Sequence, residues 1–104
     1  MLDEKTRREI RARLELVFRD RLKGVLLFGS QARDEARADS DLDLLILLER
    51  PVRLGEDLEK IFEAIYPLQL ELDAPIHATP VPAEVFEAGE YGIYRSARRE
   101  GVFL

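Results

Sequence analysis

Apolar positions along the chain change their spacing between the first twenty residues and the segments that follow. Near the start they recur at steps of three and four, the period of an amphipathic helix, and we predict a helix over residues 3–22. Its apolar positions are Ile10, Leu14, Val17, Phe18 and Leu22. Gly24 predicts the end of this helix. Residues 25–28 and 42–48 are then short apolar runs, typical of strands that are buried on both faces.

The second half of the chain shows the same two periods. Apolar spacing after Pro51 predicts a second amphipathic helix. The residues that mark its apolar face are Leu54, Leu58, Ile61, Phe62 and Ile65. Residues 68–73 alternate at period two, which fits either a strand or a helix that continues beyond Pro67. Residues 76–81 are a further strand candidate, in which Pro80 indicates an edge position, and residues 83–88 and 91–99 predict two short helices.

Residues suited to binding or catalysis lie at the end of the first apolar run and at the start of the second. Gly29 and Ser30 follow the first run, and Asp41 and Asp43 open the second. Residues i and i+2 of a strand share a face, so both carboxylates point the same way, which suits Mg²⁺ completing its shell with water and phosphate oxygens. Glycine allows close backbone approach, and a serine at a helix start donates to phosphate, with Arg33 near the same anion. The pattern indicates phosphoryl or nucleotidyl transfer.

Residues 25–48 resemble the Gly-Ser…Asp-x-Asp signature of the DNA polymerase β-type nucleotidyltransferase superfamily, and the short chain resembles its minimal (MNT) branch. Residues 81–86 and 99–104 fit more loosely. The fold expected from pattern and resemblance is α/β (α+β): a polymerase β-like core with a small mixed β-sheet flanked by helices. One departure is Asp34, since a glycine commonly follows the arginine in such motifs.

The resemblance implies transfer of a nucleoside monophosphate from an NTP, expected to be AMP from ATP, to a protein or a small hydroxyl acceptor. Asp41 and Asp43 are then the catalytic residues and the ligands of Mg²⁺, in a one-metal or two-metal site. Gly29, Ser30 and Arg33 are the expected nucleotide-binding residues.

A third carboxylate, which the resemblance implies on a later strand, is not placed by the sequence. If residues 68–73 form the third strand, Glu71 or Asp73 fills that position. If residues 76–81 form it, the position holds His77, a candidate general base because histidine titrates near neutral pH. The alternatives stay open at this stage.

Composition narrows the class of protein. With 104 residues, of which 46% are hydrophobic, we expect one minimal nucleotidyltransferase domain over residues 1–104. A net charge of −5 argues against general nucleic-acid binding, which relies on a basic face. The absence of cysteine excludes disulfides and thiolate metal sites. No signal-peptide pattern and no long apolar run are present, so we expect a cytoplasmic protein without membrane contact.

The short length also bears on partners. Larger relatives carry further subdomains that hold the acceptor, and 104 residues leave no room for one. The resemblance implies a HEPN-type protein partner, paired with this chain as toxin and antitoxin, and a homo-oligomer is the other possibility. Two functional hypotheses follow: an active Mg²⁺-dependent nucleotidyltransferase, or a catalytically inactive antitoxin or scaffold that acts by protein–protein contact.

Overall fold

Four helices and four strands make up the part of the chain that the computed structural model describes, residues 2–29 and 41–104. In chain order they are α1 (Glu4–Phe18), a 3₁₀ turn (Arg19–Arg21), β1 (Leu22–Phe28), β2 (Leu42–Leu48), α2 (Leu54–Glu71), β3 (Ile76–Pro82), α3 (Ala83–Ala88), α4 (Gly92–Glu100) and β4 (Val102–Phe103). The expected fold class, a small mixed sheet flanked by helices, is confirmed.

The four strands form one sheet in the order β3-β2-β1-β4. β1 runs antiparallel to both β2 and β4, and β2 runs parallel to β3. Phe28, the last residue of β1, is in register with Asp43, and Asp43 is in register with His77 on β3. The last residue of β1 and the first residues of β2 and β3 therefore lie side by side, at the same end of the sheet along the strand direction.

Helices cover both faces of this sheet and divide the core into two layers. On one face, the even-numbered residues of β2 pack with α1 and α2, through residues such as Leu44, Ile10 and Ile65. On the other face, Leu45 and Leu47 pack with residues of α3 and α4. Because side chains alternate along a strand, Asp41 and Asp43 lie on the α3 and α4 face. The two carboxylates therefore share one face, as predicted, together with the buried Leu45 and Leu47.

The first helix is shorter than the sequence predicts. It ends at Phe18, and β1 already begins at Leu22. Gly24 lies inside β1 and is buried, where an added Cβ would lie 3.3 Å from Leu47 Cδ1. The prediction that Gly24 ends the helix was therefore wrong, because this glycine instead allows β1 and a neighbouring side chain to approach closely.

Helix α2 settles the ambiguity over residues 68–73. It continues through Pro67 to Glu71, and the backbone N–H of Leu72 donates to the Leu68 carbonyl at 3.1 Å. Leu68 is buried in the core, so packing favours the helix in spite of the proline. The strand predicted over residues 76–81 forms and extends to Pro82, and Pro80 lies on an edge strand of the sheet as expected.

The apolar face of α2 differs from the predicted one. Ile61 and Ile65 are buried as expected, but Leu54, Leu58 and Phe62 are exposed. The helix carries more apolar side chains than its contact with the sheet and α1 can cover.

At the end of the chain, α3 and α4 form where the sequence predicts them. β4 was not predicted, because two residues are too few to show an alternating pattern. It pairs with β1, and the N–H of Leu104 donates to the carbonyl of Val25 at 2.9 Å. None of the helices in the described ranges combines the length and the apolar character that a membrane span requires.

Candidate functional site

Four of the residues singled out by the sequence analysis lie close together at the end of the sheet where β1 finishes and β2 and β3 begin. Gly29 follows β1, Asp41 immediately precedes β2, and Asp43 and His77 are neighbours on β2 and β3. The start of β2 is tied to the segment ahead of β3, because the N–H of Leu42 donates to the carbonyl of Pro75 at 2.8 Å. Strand pairing thus brings together residues that are up to 48 positions apart in the chain.

Gly29 fits against the carboxylate of Asp43. Its φ is +80°, a conformation that side chains other than glycine's adopt at a cost. A Cβ added there would lie 2.7 Å from Asp43 Oδ2, which is closer than non-bonded contact allows. Both the backbone angle and the limited space therefore require glycine. The backbone at Gly29 packs directly against the Asp43 carboxylate.

Asp41 and His77 make direct contact. His77 Nε2 lies 3.1 Å from Asp41 Oδ2, a distance at which an Nε2–H donates to the carboxylate. The two side chains are 61% and 53% exposed, so this contact adds little to the stability of the fold. Its effect is local, because it fixes the imidazole beside the carboxylate.

The environment of Asp43 disfavours the charged form of its carboxyl group. Partial burial raises the pKa of this carboxyl, the nearby Asp41 raises it further, and His77 opposes both effects. A positive ion between the two carboxylates would remove their repulsion and stabilise their charged forms.

The donor set fits magnesium with a substrate phosphate in its shell. Across residues 2–29 and 41–104, no three His, Cys, Asp or Glu side chains are grouped so that they alone would hold a metal ion. Asp41 and Asp43 offer carboxylate oxygens, and Mg²⁺ is commonly held by one or two carboxylates with water and phosphate oxygens completing the shell.

The position of β3 shows which of the candidates for the third carboxylate position lies on a strand. Glu71 is the last residue of α2, and Asp73 lies in the bend between α2 and β3, so neither is on a strand. The residue in register with Asp43 on β3 is His77. Thr79 lies two residues further along β3 on the same face and is also exposed, and no motif in the sequence singled it out.

Ser30 and Arg33, the other two expected nucleotide-binding residues, lie outside the described residues. Their contacts with a triphosphate stay predictions.

Comparisons with known proteins bear on the family and the fold of this chain. A family model described as a nucleotidyltransferase domain matches residues 7–100. A protein of Methanocaldococcus jannaschii, named "Putative protein adenylyltransferase MJ0604", is 29% identical to this chain over 106 residues, which cover 100% of this chain and 99% of that protein.

A solved structure described as a toxin-antitoxin with AMP-PNP superposes with a TM-score of 0.64. The alignment covers 93% of this chain and 70% of the other, at 16% sequence identity. At this identity the likeness concerns the fold.

Proposed function

Since the chain belongs to the nucleotidyltransferase domain family, as its resemblance implied, we propose that it transfers adenylate from ATP to a hydroxyl group of a protein. The observation that carries the proposal is the pair Asp41 and Asp43 on one face at the start of β2, with Gly29 against Asp43. Adenylate and a protein acceptor are favoured by the name of the relative from M. jannaschii, and ATP by the AMP-PNP of the structural neighbour.

In this proposal Asp41 and Asp43 hold Mg²⁺, which when bound neutralises the charge that develops on the transferred phosphate and its leaving group. Gly29 keeps the turn free of a side chain, so that Asp43 retains its position and a phosphate can approach the backbone. Ser30 and Arg33 are the proposed contacts to the triphosphate.

His77 has two proposed tasks. Through the Nε2–H···Oδ2 contact it orients Asp41. It also occupies the place on β3 beside Asp43 where the third carboxylate is expected, so we propose it as the base that accepts the proton of the attacking hydroxyl. Because Nε2 carries the hydrogen donated to Asp41, that proton would move to Nδ1 as the hydroxyl oxygen attacks the α-phosphorus and pyrophosphate leaves.

A calorimetric titration of ATP in the presence of Mg²⁺ tests the nucleotide site without knowledge of the acceptor. We expect the wild type to bind and the double variant Asp41→Asn, Asp43→Asn to bind at least tenfold more weakly, with its fold verified by circular dichroism. Equal ATP affinity of the two proteins would contradict the proposed site.

Replacement of Gly29 by alanine tests the contact with Asp43. We expect at least tenfold weaker binding of ATP with Mg²⁺, because the new methyl group displaces the carboxylate, and a loss of about 1–2 kcal/mol in the free energy of unfolding from the positive φ. Calorimetry and urea denaturation measure the two effects.

The matched control is Gly55→Ala. An added Cβ there meets nothing within 4 Å, so neither quantity should fall. Unchanged ATP affinity in Gly29→Ala would show that Asp43 does not need its present position.

One observation favours the second candidate, an inactive antitoxin or scaffold: the strand position beside Asp43 carries His77 and not a carboxylate. In that case the chain would act by contact with a protein partner, for which a HEPN-type protein or a second copy is proposed. The toxin-antitoxin description of the structural neighbour supports a protein partner under either candidate. Absence of ATP binding by the wild type in the titration above would favour the scaffold.

A further inference from the structure

Helix α2 carries a row of large apolar side chains that remain exposed. The row, called here the α2 stripe, takes every fourth residue along the whole helix. It consists of Leu54, Leu58, Phe62, Tyr66 and Leu70, which are 60%, 39%, 62%, 47% and 69% exposed. Residues four apart form a continuous ridge on a helix, and the rings of Phe62 and Tyr66 lie 5.4 Å apart between centroids.

The α2 stripe is large for an unoccupied surface. An 18-residue helix is about 27 Å long, and the exposed parts of five such side chains add up to about 500 Å², in the range of patches that mark interaction sites. The core does not require these side chains, because Ile61, Ile65 and Leu68 already anchor α2 to the sheet. A partner surface is the simplest reason for their exposure.

Charge is unequal on the two sides of the stripe. The adjoining row towards the core contains the buried residues Asp57, Ile61 and Ile65. The adjoining row on the open side contains Gly55, Glu59, Glu63, Pro67 and Glu71, all of them exposed. This open row carries three carboxylates and no basic side chain, so the apolar ridge has an acidic border.

We propose that the α2 stripe docks a helix or ridge of a partner protein whose apolar side chains are bordered by lysine or arginine. Apolar contact supplies the affinity, and the acidic border selects a basic partner and its orientation. A second copy of this chain fits less well, because antiparallel pairing of two stripes about a two-fold axis places the acidic rows side by side. The same carboxylates repel an anionic membrane surface.

The proposed docking face is separate from the nucleotide site. Helix α2 packs on the sheet face that carries Leu44 and Ile46, whereas Asp41 and Asp43 lie on the opposite face. A partner seated on α2 would leave the carboxylates open to ATP. The inference therefore does not rest on catalysis, and its test keeps both aspartates.

Two synthetic helical peptides serve as probes. Both carry leucine at every fourth position, and the adjoining row is lysine in the first peptide and glutamate in the second. We expect the lysine peptide to bind the wild-type chain at low ionic strength at least tenfold more tightly than the glutamate peptide, measured by fluorescence anisotropy. Phe62→Glu should weaken binding of the lysine peptide at least tenfold. Leu16→Glu, on α1 and 77% exposed, is the matched control and should not change it.

A charge exchange sharpens the test. The double variant Glu59→Lys, Glu63→Lys should reverse the preference, so that the glutamate peptide binds more tightly than the lysine peptide. All substituted residues are exposed, so these variants should keep the wild-type circular dichroism and melting temperature.

Several results would overturn the proposal. One is that neither peptide binds the wild type, and another is that both bind equally to every variant. A wild-type dimer in analytical ultracentrifugation that Phe62→Glu dissociates would assign the stripe to a second copy. Binding to vesicles of anionic phospholipid that Phe62→Glu abolishes would assign it to a membrane surface.

Discussion

Asp43→Asn is expected to slow adenylate transfer at least about 10³-fold, because it removes one of the two carboxylates proposed to hold the metal ion, an interaction of several kcal/mol in the transition state. The amide keeps the shape of the side chain, and position 43 is half-buried, so the fold should persist. The measurement is the initial rate at which label from the α-phosphate of ATP appears in protein bands on a gel, with an extract as the source of acceptor.

Glu71→Gln and Asp73→Asn are the matched controls for this loss. Each also removes one carboxylate, but from the end of α2 or the following bend, and each should leave the transfer rate within about twofold of the wild type. A large loss in either control would restore that residue as the third carboxylate. Transfer at the wild-type rate by Asp43→Asn would rule out the proposed metal site.

Asp57→Ala is expected to lower the free energy of unfolding by about 3 kcal/mol. Asp57 is 2% exposed and accepts two hydrogen bonds from the guanidinium of Arg21, at 3.1 and 3.0 Å. It accepts a third from the backbone N–H of Arg53 at 2.9 Å. Removing the carboxylate takes away all three of these hydrogen bonds and the link between α2 and the turn before β1, although Arg21 Nη2 keeps its bond to the Pro51 carbonyl at 2.7 Å. Urea denaturation at pH 7 measures the loss.

The effect should depend on pH in a defined direction. The hydrogen bonds from Arg21 hold the pKa of Asp57 below its ordinary value of 3.8, burial partly opposes this, and the Arg53 N–H adds to it. A lowered pKa in the folded state stabilises the protein above the ordinary pKa, and the stabilisation is lost as the pH falls through the lowered value. The difference in unfolding free energy between wild type and Asp57→Ala should therefore be constant from pH 5 to 8 and shrink below about pH 4.

Arg8→Ala is the control for an ion pair of similar length. Arg8 and Glu4 lie 2.7 Å apart, but both side chains are 77% exposed. Loss of that pair should have almost no effect on stability, since solvent screens it. If Asp57→Ala were equally mild, Asp57 would not act as a buried link between α2 and the rest of the fold.

The sequence predicted those parts of the site that depend on a local pattern. Asp41 and Asp43 share a face because residues two apart on a strand must do so, and an uninterrupted apolar run makes the strand itself evident. Gly29 stood out because it follows an apolar run, at a point where a glycine allows close approach of the backbone. Its contact with Asp43 was not, because that contact depends on the register between β1 and β2.

The parts that were left open or missed depend on long-range packing. His77 is adjacent to Asp43 only because β3 adds to the sheet in parallel beside β2, a choice that no local period reveals. Leu54, Leu58 and Phe62 follow the helical period as well as Ile61 and Ile65 do, and only the position of the sheet and α1 decides which of them are covered. The buried partnership of Arg21 with Asp57 joins residues 36 positions apart, and neither residue stands out in the sequence.

The central place of β1 and β2 in the sheet has a consequence for motion. Both strands that lead to the carboxylates and the glycine have hydrogen-bonded neighbours on each side, whereas β3 and β4 form the outer edges. Amide hydrogens of inner strands exchange with deuterium mainly when the whole domain opens, and those at edges exchange through smaller local openings. Deuterium uptake should therefore be slowest around Leu26 and Leu44 and faster in β4, and His77 should sit on a strand that detaches more readily than the one carrying its aspartate neighbours.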